Sequence, residues 1–167
     1  MPKPFKPMTE SHKKLFVGLH RVRVKEFEYK KNDKGEIILN EFGGPSHITV
    51  EFENEQGFTR RKHFSLKQSA LWVLENFSEA IRVKLVGDVE YDVERDVKGK
   101  FLYIVVVLVR ITKGGVPIME NGRPKQYTDI KSRFYLDGNI EPTINGIPDD
   151  REPSGDYLEY REEWKGR

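Results

Sequence analysis

The chain has 167 residues with 29 Lys/Arg, 27 Asp/Glu and no cysteine, a length that fits one domain with an appendage and is too short for two large domains. The lack of cysteine excludes a disulfide scaffold, thiolate metal sites and a cysteine nucleophile, and suits a reducing, cytoplasmic compartment. The small net charge hides an asymmetry: residues 1–136 hold 25 Lys/Arg and 18 Asp/Glu, whereas residues 137–167 hold 4 and 9, and a basic body with an acidic tail is suited to meeting a polyanion.

Residues 1–14 begin Met1-Pro2-Lys3-Pro4-Phe5-Lys6-Pro7, positive charge with no apolar stretch behind it, and read as a basic arm with no secretory signal. From Val17 to Lys31, Val22 and Val24 share one parity and Phe27 and Tyr29 the other. The switch at Lys25-Glu26 predicts a β-bulge in a long, bent first strand. Asn32-Asp33-Lys34-Gly35 is a turn, and a loop around Gly43-Gly44 leads to Ile48, Val50 and Phe52, which alternate with polar residues as in a half-buried strand. Asn54-Glu55-Gln56-Gly57 turns the chain into a third strand that carries Phe58, Arg60, Lys62 and Phe64 on one side and Arg61 and His63 on the other.

The period then changes. Ser65 and Gln68 form a capping box, and Leu66, Ala70, Val73, Leu74, Phe77 and Ile81 recur at helical spacing, which predicts a helix over about residues 66–81. Val89, Tyr91 and Val93 alternate with acidic residues and are expected to pair, as a hairpin, with the run Phe101 to Val109. Those nine apolar or aromatic residues predict a central strand covered on both faces, and the run is too short to cross a bilayer as a helix. Lys125 to Leu136 is a final extended segment. From Gly138 the chain becomes acidic and rich in Pro and Gly, a loosely docked or disordered tail in which Tyr157 to Trp164 reads as a short helix or hook.

The expected fold is therefore mainly β. It is a small five-stranded OB-like barrel over residues 15–136, capped by one α-helix and followed by the C-terminal extension 137–167. No phosphate-binding Gly-rich loop, dinucleotide fingerprint or zinc spacing occurs, so no cofactor or catalytic residue is assigned. Glu90, Asp92, Glu94 and Asp96 share one parity, an arrangement able to hold Mg²⁺ for nuclease chemistry, though such stripes are more often the wet face of a hairpin.

The informative pattern is the interleaving of aromatic and basic residues. Tyr29, Lys30 and Lys31 end the first strand, and Phe58, Arg60, Arg61 and Lys62 lie on the third. Cations that follow phosphates beside aromatic faces that stack on bases are the chemistry of single-stranded nucleic acid binding. Lys98, Lys100, Arg110 and Lys113 extend the expected track from the later turns, while Phe134 and Tyr127 are free to stack there or to pack under the tail.

The run Gly18-Leu19-His20-Arg21-Val22-Arg23-Val24, the strand Ile48-Thr49-Val50-Glu51-Phe52, Arg60-Arg61-Lys62-His63-Phe64 before the helix, and Phe101 to Ile111 resemble phage and prophage single-stranded DNA-binding proteins over about residues 15–112. The resemblance implies a non-enzymatic protein of the cell or host cytoplasm that coats single-stranded DNA, or RNA, during replication or recombination, self-associates, needs no membrane and recruits replication or recombination proteins through its tail. The tail here ends Glu162-Glu163-Trp164-Lys165-Gly166-Arg167, without the acidic-hydrophobic tip of bacterial members. Two other classes stay open: a structural or assembly β-barrel protein of a phage or mobile element, and a metal-dependent nuclease.

Overall fold

The computed structural model describes residues 14–138 and 153–163. Within them lie the strands β1 (Gly18–Tyr29), β2 (His47–Glu53), β3 (Thr59–Ser65), β4 (Phe101–Lys113), β5 (Val116–Pro117), β6 (Met119–Glu120), β7 (Arg123–Pro124), β8 (Gln126–Ile130), β9 (Tyr135–Leu136) and β10 (Leu158–Glu162), with the helix α1 (Leu71–Ile81) between β3 and β4. The protein is mainly β, and among the described residues no helix is long and apolar enough to cross a membrane.

β4 organises the sheet. One edge of its first half pairs antiparallel with β1, Gly18 opposite Val106 through Arg23 opposite Phe101, and its second half pairs in parallel with β10, Leu158 opposite Leu108 through Glu162 opposite Thr112. β9, β8 and β5 take the other edge in turn. Leu102 to Val107 and Val109 are all buried, which is why this run has no polar parity: both faces are covered.

β1, β2 and β3 form an antiparallel meander. The β1–β2 register shifts between Val24 and Glu26, so the bulge lies where the parity switch predicted it. Three turns share one device. Asn32, Asn40 and Asn54 each accept, through the side-chain oxygen, hydrogen bonds from the backbone N–H groups two and four residues on. The third residue after each asparagine is a glycine at φ 80°, 85° and 83°, a left-handed conformation that an L side chain would strain. The tetrapeptide pattern Asn-x-x-Gly thus builds the β1–β2 loop twice and the β2–β3 hairpin once.

α1 lays Leu74, Phe77, Ala80 and Ile81 on the inner face of the sheet. The Phe77 ring is surrounded by Phe64 at 5.2 Å, Phe134 at 5.5 Å, Phe52 at 5.7 Å and Phe27 at 6.5 Å between centroids. Phe134 is therefore core. Buried Ser78 donates its hydroxyl proton to the Val83 carbonyl and accepts from Leu85 N–H at 3.1 Å, tying down the chain that leaves the helix.

Four expectations are corrected. The α-helix starts at Leu71, after a 3₁₀ turn at Gln68–Ala70, and not near residue 66. Leu66 N–H still donates to Ser46 O at 3.0 Å, continuing the β2–β3 ladder, and Ser65 Oγ accepts from Lys67 N–H at 3.2 Å, so the expected capping box is spent on a tighter turn. Residues 89–93 do not form a hairpin with β4. Both edges of β4 are already occupied, and Val93–Val97 instead winds as a π-helical turn closed by Asp92, which accepts from Arg95 N–H at 3.0 Å, and by Asp96, which accepts from Asp92 N–H at 2.9 Å.

The sheet is also not closed into a five-stranded barrel: β3 pairs along its length only with β2 and β8 only with β4, leaving an open sheet with a seam between them. Arg60 and Lys62 point into that seam from β3. Their long cationic side chains need acceptors and occupy the space where a backbone ladder would form. Finally, Tyr157 to Glu162 is neither helix nor simple hook; a 3₁₀ turn at Gly155–Tyr157 leads into β10. Glu162 anchors it, accepting from Gly115 N–H at 2.8 Å, Gly114 N–H at 3.0 Å and Thr112 Oγ1 at 3.0 Å. Most of the basic arm and the Pro/Gly-rich stretch 139–152 lie outside the described residues.

Candidate nucleic-acid interface

Because β strands alternate sides, the residues of β1–β3 that do not face α1 make a continuous outer surface. It carries Arg21, Arg23 and Lys25 from β1, Thr49, Glu51 and Glu53 from β2, and Thr59, Arg61 and His63 from β3, in register across the ladder. The middle of this face is an ion-pair lattice. Arg23 Nε donates to Glu53 at 3.1 Å, Lys25 Nζ lies 3.6 Å from Glu51 and 3.5 Å from Glu53, and Arg61 Nε donates to Glu51 at 2.9 Å. Hydrogen bonding from Arg23, aided by the charge of Lys25, holds the Glu53 carboxyl below its ordinary pKa.

Beside this lattice, at the β3–β8 seam, a cleft of about 590 Å³ opens. Lys14, Lys25, Arg60 and Arg61 line it with Glu51, Asp129, Thr59 and Thr128, four cations against two carboxylates. The segment entering β1 closes one end: Leu15 N–H donates to Thr59 O at 3.3 Å. Across the seam the Arg60 guanidinium donates to Thr128 Oγ1, and Lys62 Nζ donates to Ile130 O at 3.0 Å. Burial lowers the Lys62 pKa against the opposing pull of Asp129. Asp129 in turn accepts from Arg161 of β10 at 3.0 Å. Burial works against the Arg161 charge, but hydrogen bonds to Glu159 and Asp129 outweigh it and raise that pKa.

A second cationic corner lies at the opposite end of β2 and β3. Lys30 N–H donates to His47 O at 3.0 Å, and His63 Nδ1 shares a 2.7 Å hydrogen bond with Thr49 Oγ1. Burial lowers the pKa of both histidines, and the Lys30 charge lowers each further.

The eleven residues singled out from sequence therefore do not form one track. Tyr29, Lys30 and Lys31 gather at the end of β1, where Lys31 lies 3.7 Å from Glu28. Arg61 faces the outer surface, while Arg60 and Lys62 project into the seam and Phe58 packs partly buried against the core. Lys98 is held between Glu26 at 3.0 Å and Glu94 at 2.8 Å, and Lys100 stands exposed beside the bulge. Arg110 and Lys113 lie at the far end of β4, about 40 Å from Lys100 along an extended strand; Arg110 Nε donates to Gln126 at 3.3 Å.

Lys14, Lys25, Arg21 and Arg23 went unrecognised as part of this surface. The signal for the two arginines was available, since Arg21 and Arg23 share the parity opposite to Val22 and Val24. Lys25 sits in the bulge, where parity is lost. The stripe Glu90 to Asp96 does not converge, and among the described residues no three His, Asp or Glu side chains gather as a metal set. In comparisons with known proteins, no family model matches the chain and no curated protein matches it in sequence.

Proposed function

We propose that the protein is a non-catalytic single-stranded DNA-binding protein, built on an open β-sheet with an OB-like order of elements, that coats DNA during replication or recombination in the cytoplasm of the cell or phage host. The order supports this reading: a bent β1 shared between β2 and β4, a β1–β2–β3 meander, a helix between β3 and β4, and β8 in the place of a fifth strand. The observation that carries it is the seam cleft, where four cations face two carboxylates, one of them already engaged by Arg161. An extended groove with surplus positive charge beside a broad strand face fits a flexible polyanion better than a compact metabolite.

The test is fluorescence anisotropy of labelled oligo-dT against salt. The expected result is binding that weakens steeply as salt rises, with little sequence preference. Absence of binding at low salt sinks the proposal. The edge of β3 away from β2, bridged among the described residues only at Thr59 and paired with no strand along its length, favours one second reading, a structural or assembly protein that associates through that edge. Concentration-dependent oligomers without affinity for nucleic acid would support it. RNA as the preferred polymer is tested by the same titration with oligo-U.

A further inference from the structure

At the end of the sheet where β1 and β2 run into their connecting loop lies a separate pocket of about 340 Å³. Its walls are Phe27, Tyr29 and Tyr91 with Ile37 and Ile48, and Glu28 and Lys31 stand at its rim. The pocket is built, not incidental. Phe27 is buried and meets Tyr91 edge to face at 6.1 Å and 83°, which fixes the Tyr91 ring. Ile37 is carried there by the first Asn-x-x-Gly turn through its bridge to Lys31. Tyr29 keeps 45% of its surface exposed despite being next to the core. An aromatic face left open beside buried ones costs apolar burial unless something covers it in use.

The surroundings decide what that is. Lys31 stands at the pocket itself, while Lys30, next to Tyr29 but on the other parity, carries its charge toward His47 and His63 of the second cationic corner. Tyr91 and Tyr29 bring two hydroxyl groups, and burial raises the Tyr91 pKa, so that hydroxyl stays a proton donor. A planar group with a π face, polar edges and a phosphate a few bonds away matches this combination; an aliphatic ligand would leave the cations and hydroxyls unused.

We propose that this pocket receives one nucleobase of a bound single strand, stacked against Tyr29 and Tyr91, with the adjoining phosphate held by Lys31. The inference rests on the single-strand reading above and adds to it a base-dependent subsite, distinct from the seam cleft. Lys25 of the cleft and Tyr29 of the pocket are four residues apart on β1, about 13 Å, but Tyr29 shares the inner parity of Phe27 while Lys25 faces outward, so a strand that reaches both passes around the sheet. The cleft supplies charge, and the pocket makes affinity depend on the presence of a base.

The experiment compares a labelled oligo-dT with an abasic oligomer of equal length and phosphate count, using the full chain, Tyr29→Leu and Tyr91→Leu. The wild type is expected to bind oligo-dT more tightly than the abasic strand. Each variant is expected to weaken oligo-dT binding by about 5- to 100-fold, the range that loss of one stacked base implies, and to leave the abasic affinity unchanged. That unchanged affinity also reports that the variant is folded. A wild-type preference for bases retained in both variants overturns the subsite while leaving the single-strand reading standing. A wild type that binds neither oligomer overturns both. Should Tyr91→Leu not fold, titration of the wild type with thymidine 5′-monophosphate gives the same decision. Shifts of the Tyr29 and Tyr91 ring protons in NMR support the subsite, and their absence at millimolar ligand overturns it.

Discussion

Replacing Glu51 by Gln inverts the usual expectation for a binding surface, since removing an interaction should strengthen binding. Glu51 is a half-buried lining residue of the seam cleft, 2.9 Å from Arg61 and 3.6 Å from Lys25. With it ionised, the cleft carries four cations and two carboxylates; with Gln, four and one. A carboxylate 4–8 Å from a bound phosphate repels it by about 0.5–1 kcal/mol in a water-like dielectric and by a few-fold more where the wall excludes water. Loss of that repulsion is expected to tighten oligo-dT binding about 3- to 10-fold at low salt.

The salt dependence should change with it. Lys25 and Arg61, no longer neutralised by Glu51, become available to displace counterions, and each phosphate neutralised on a single strand adds about 0.7 to the slope of log affinity against log salt. The slope is therefore expected to steepen by about 0.7–1.4. Fold stability should fall by no more than about 1 kcal/mol, because the partners Lys25 and Arg61 are exposed and Gln keeps an acceptor for them. The assay is a salt titration of anisotropy for both proteins, with urea denaturation as the control. Weaker or unchanged binding with an unchanged slope in a folded E51Q protein refutes the assignment of the cleft.

Lys62→Met should leave oligo-dT affinity within about twofold, unlike Arg61→Ala, because Lys62 is spent on Ile130 O and does not line the cleft; stability should move by no more than about 1 kcal/mol, the lost bond to Ile130 O being offset by relief of a buried ammonium, as urea unfolding would show. Glu162→Ala removes three charge-assisted hydrogen bonds and should cost about 1–3 kcal/mol, with hydrogen exchange of Leu158 to Glu162 speeding before that of β1; uniform protection would refute it. His20, buried and donating from Nε2 to Phe16 O at 2.6 Å, has its pKa lowered chiefly by burial, as have His47 and His63. The unfolded chain then takes up protons first, so stability is whole above pH about 6.5 and falls as pH drops from there through the folded pKa values. Melting temperatures between pH 8 and 5 check this, and His20→Gln should flatten the decline.

What was legible in the sequence was whatever a period of two encodes. The bulge at Lys25, the alternation of β2, the split of Arg60 and Lys62 from Arg61 and His63, and the double burial of β4 all follow from side-chain parity. Parity says which residues share a side. It does not say what stands opposite, and so Arg60 and Lys62 read as a groove when they reach Thr128 and Ile130 across a seam. Residues 89–93 alternate as a strand does, yet Asp92 and Asp96 find better use capping a turn once both edges of β4 are filled. β10 is too short for its alternation to announce it: Leu158 and Tyr160 alternate with Glu159 and Arg161 over only five residues, and the segment is a strand because β4 offers it an edge, a tertiary cause.

That parallel strand has a consequence in time. Thr112 and Glu162 meet across 50 residues of chain, while every other partner of β4 from β5 to β9 follows it closely. β1 precedes β4 in the chain and β10 follows it, so the order of synthesis separates the two pairings. A chain leaving the ribosome therefore has β1, the helix and β4 in hand before β10, and Leu108 to Thr112 wait with one edge open until Leu158 to Glu162 emerge. Completion of the sheet waits for Leu158 to Glu162, and a protein cut short before Leu158 would keep its meander and its clefts while carrying an unsealed strand edge, a template for joining other chains.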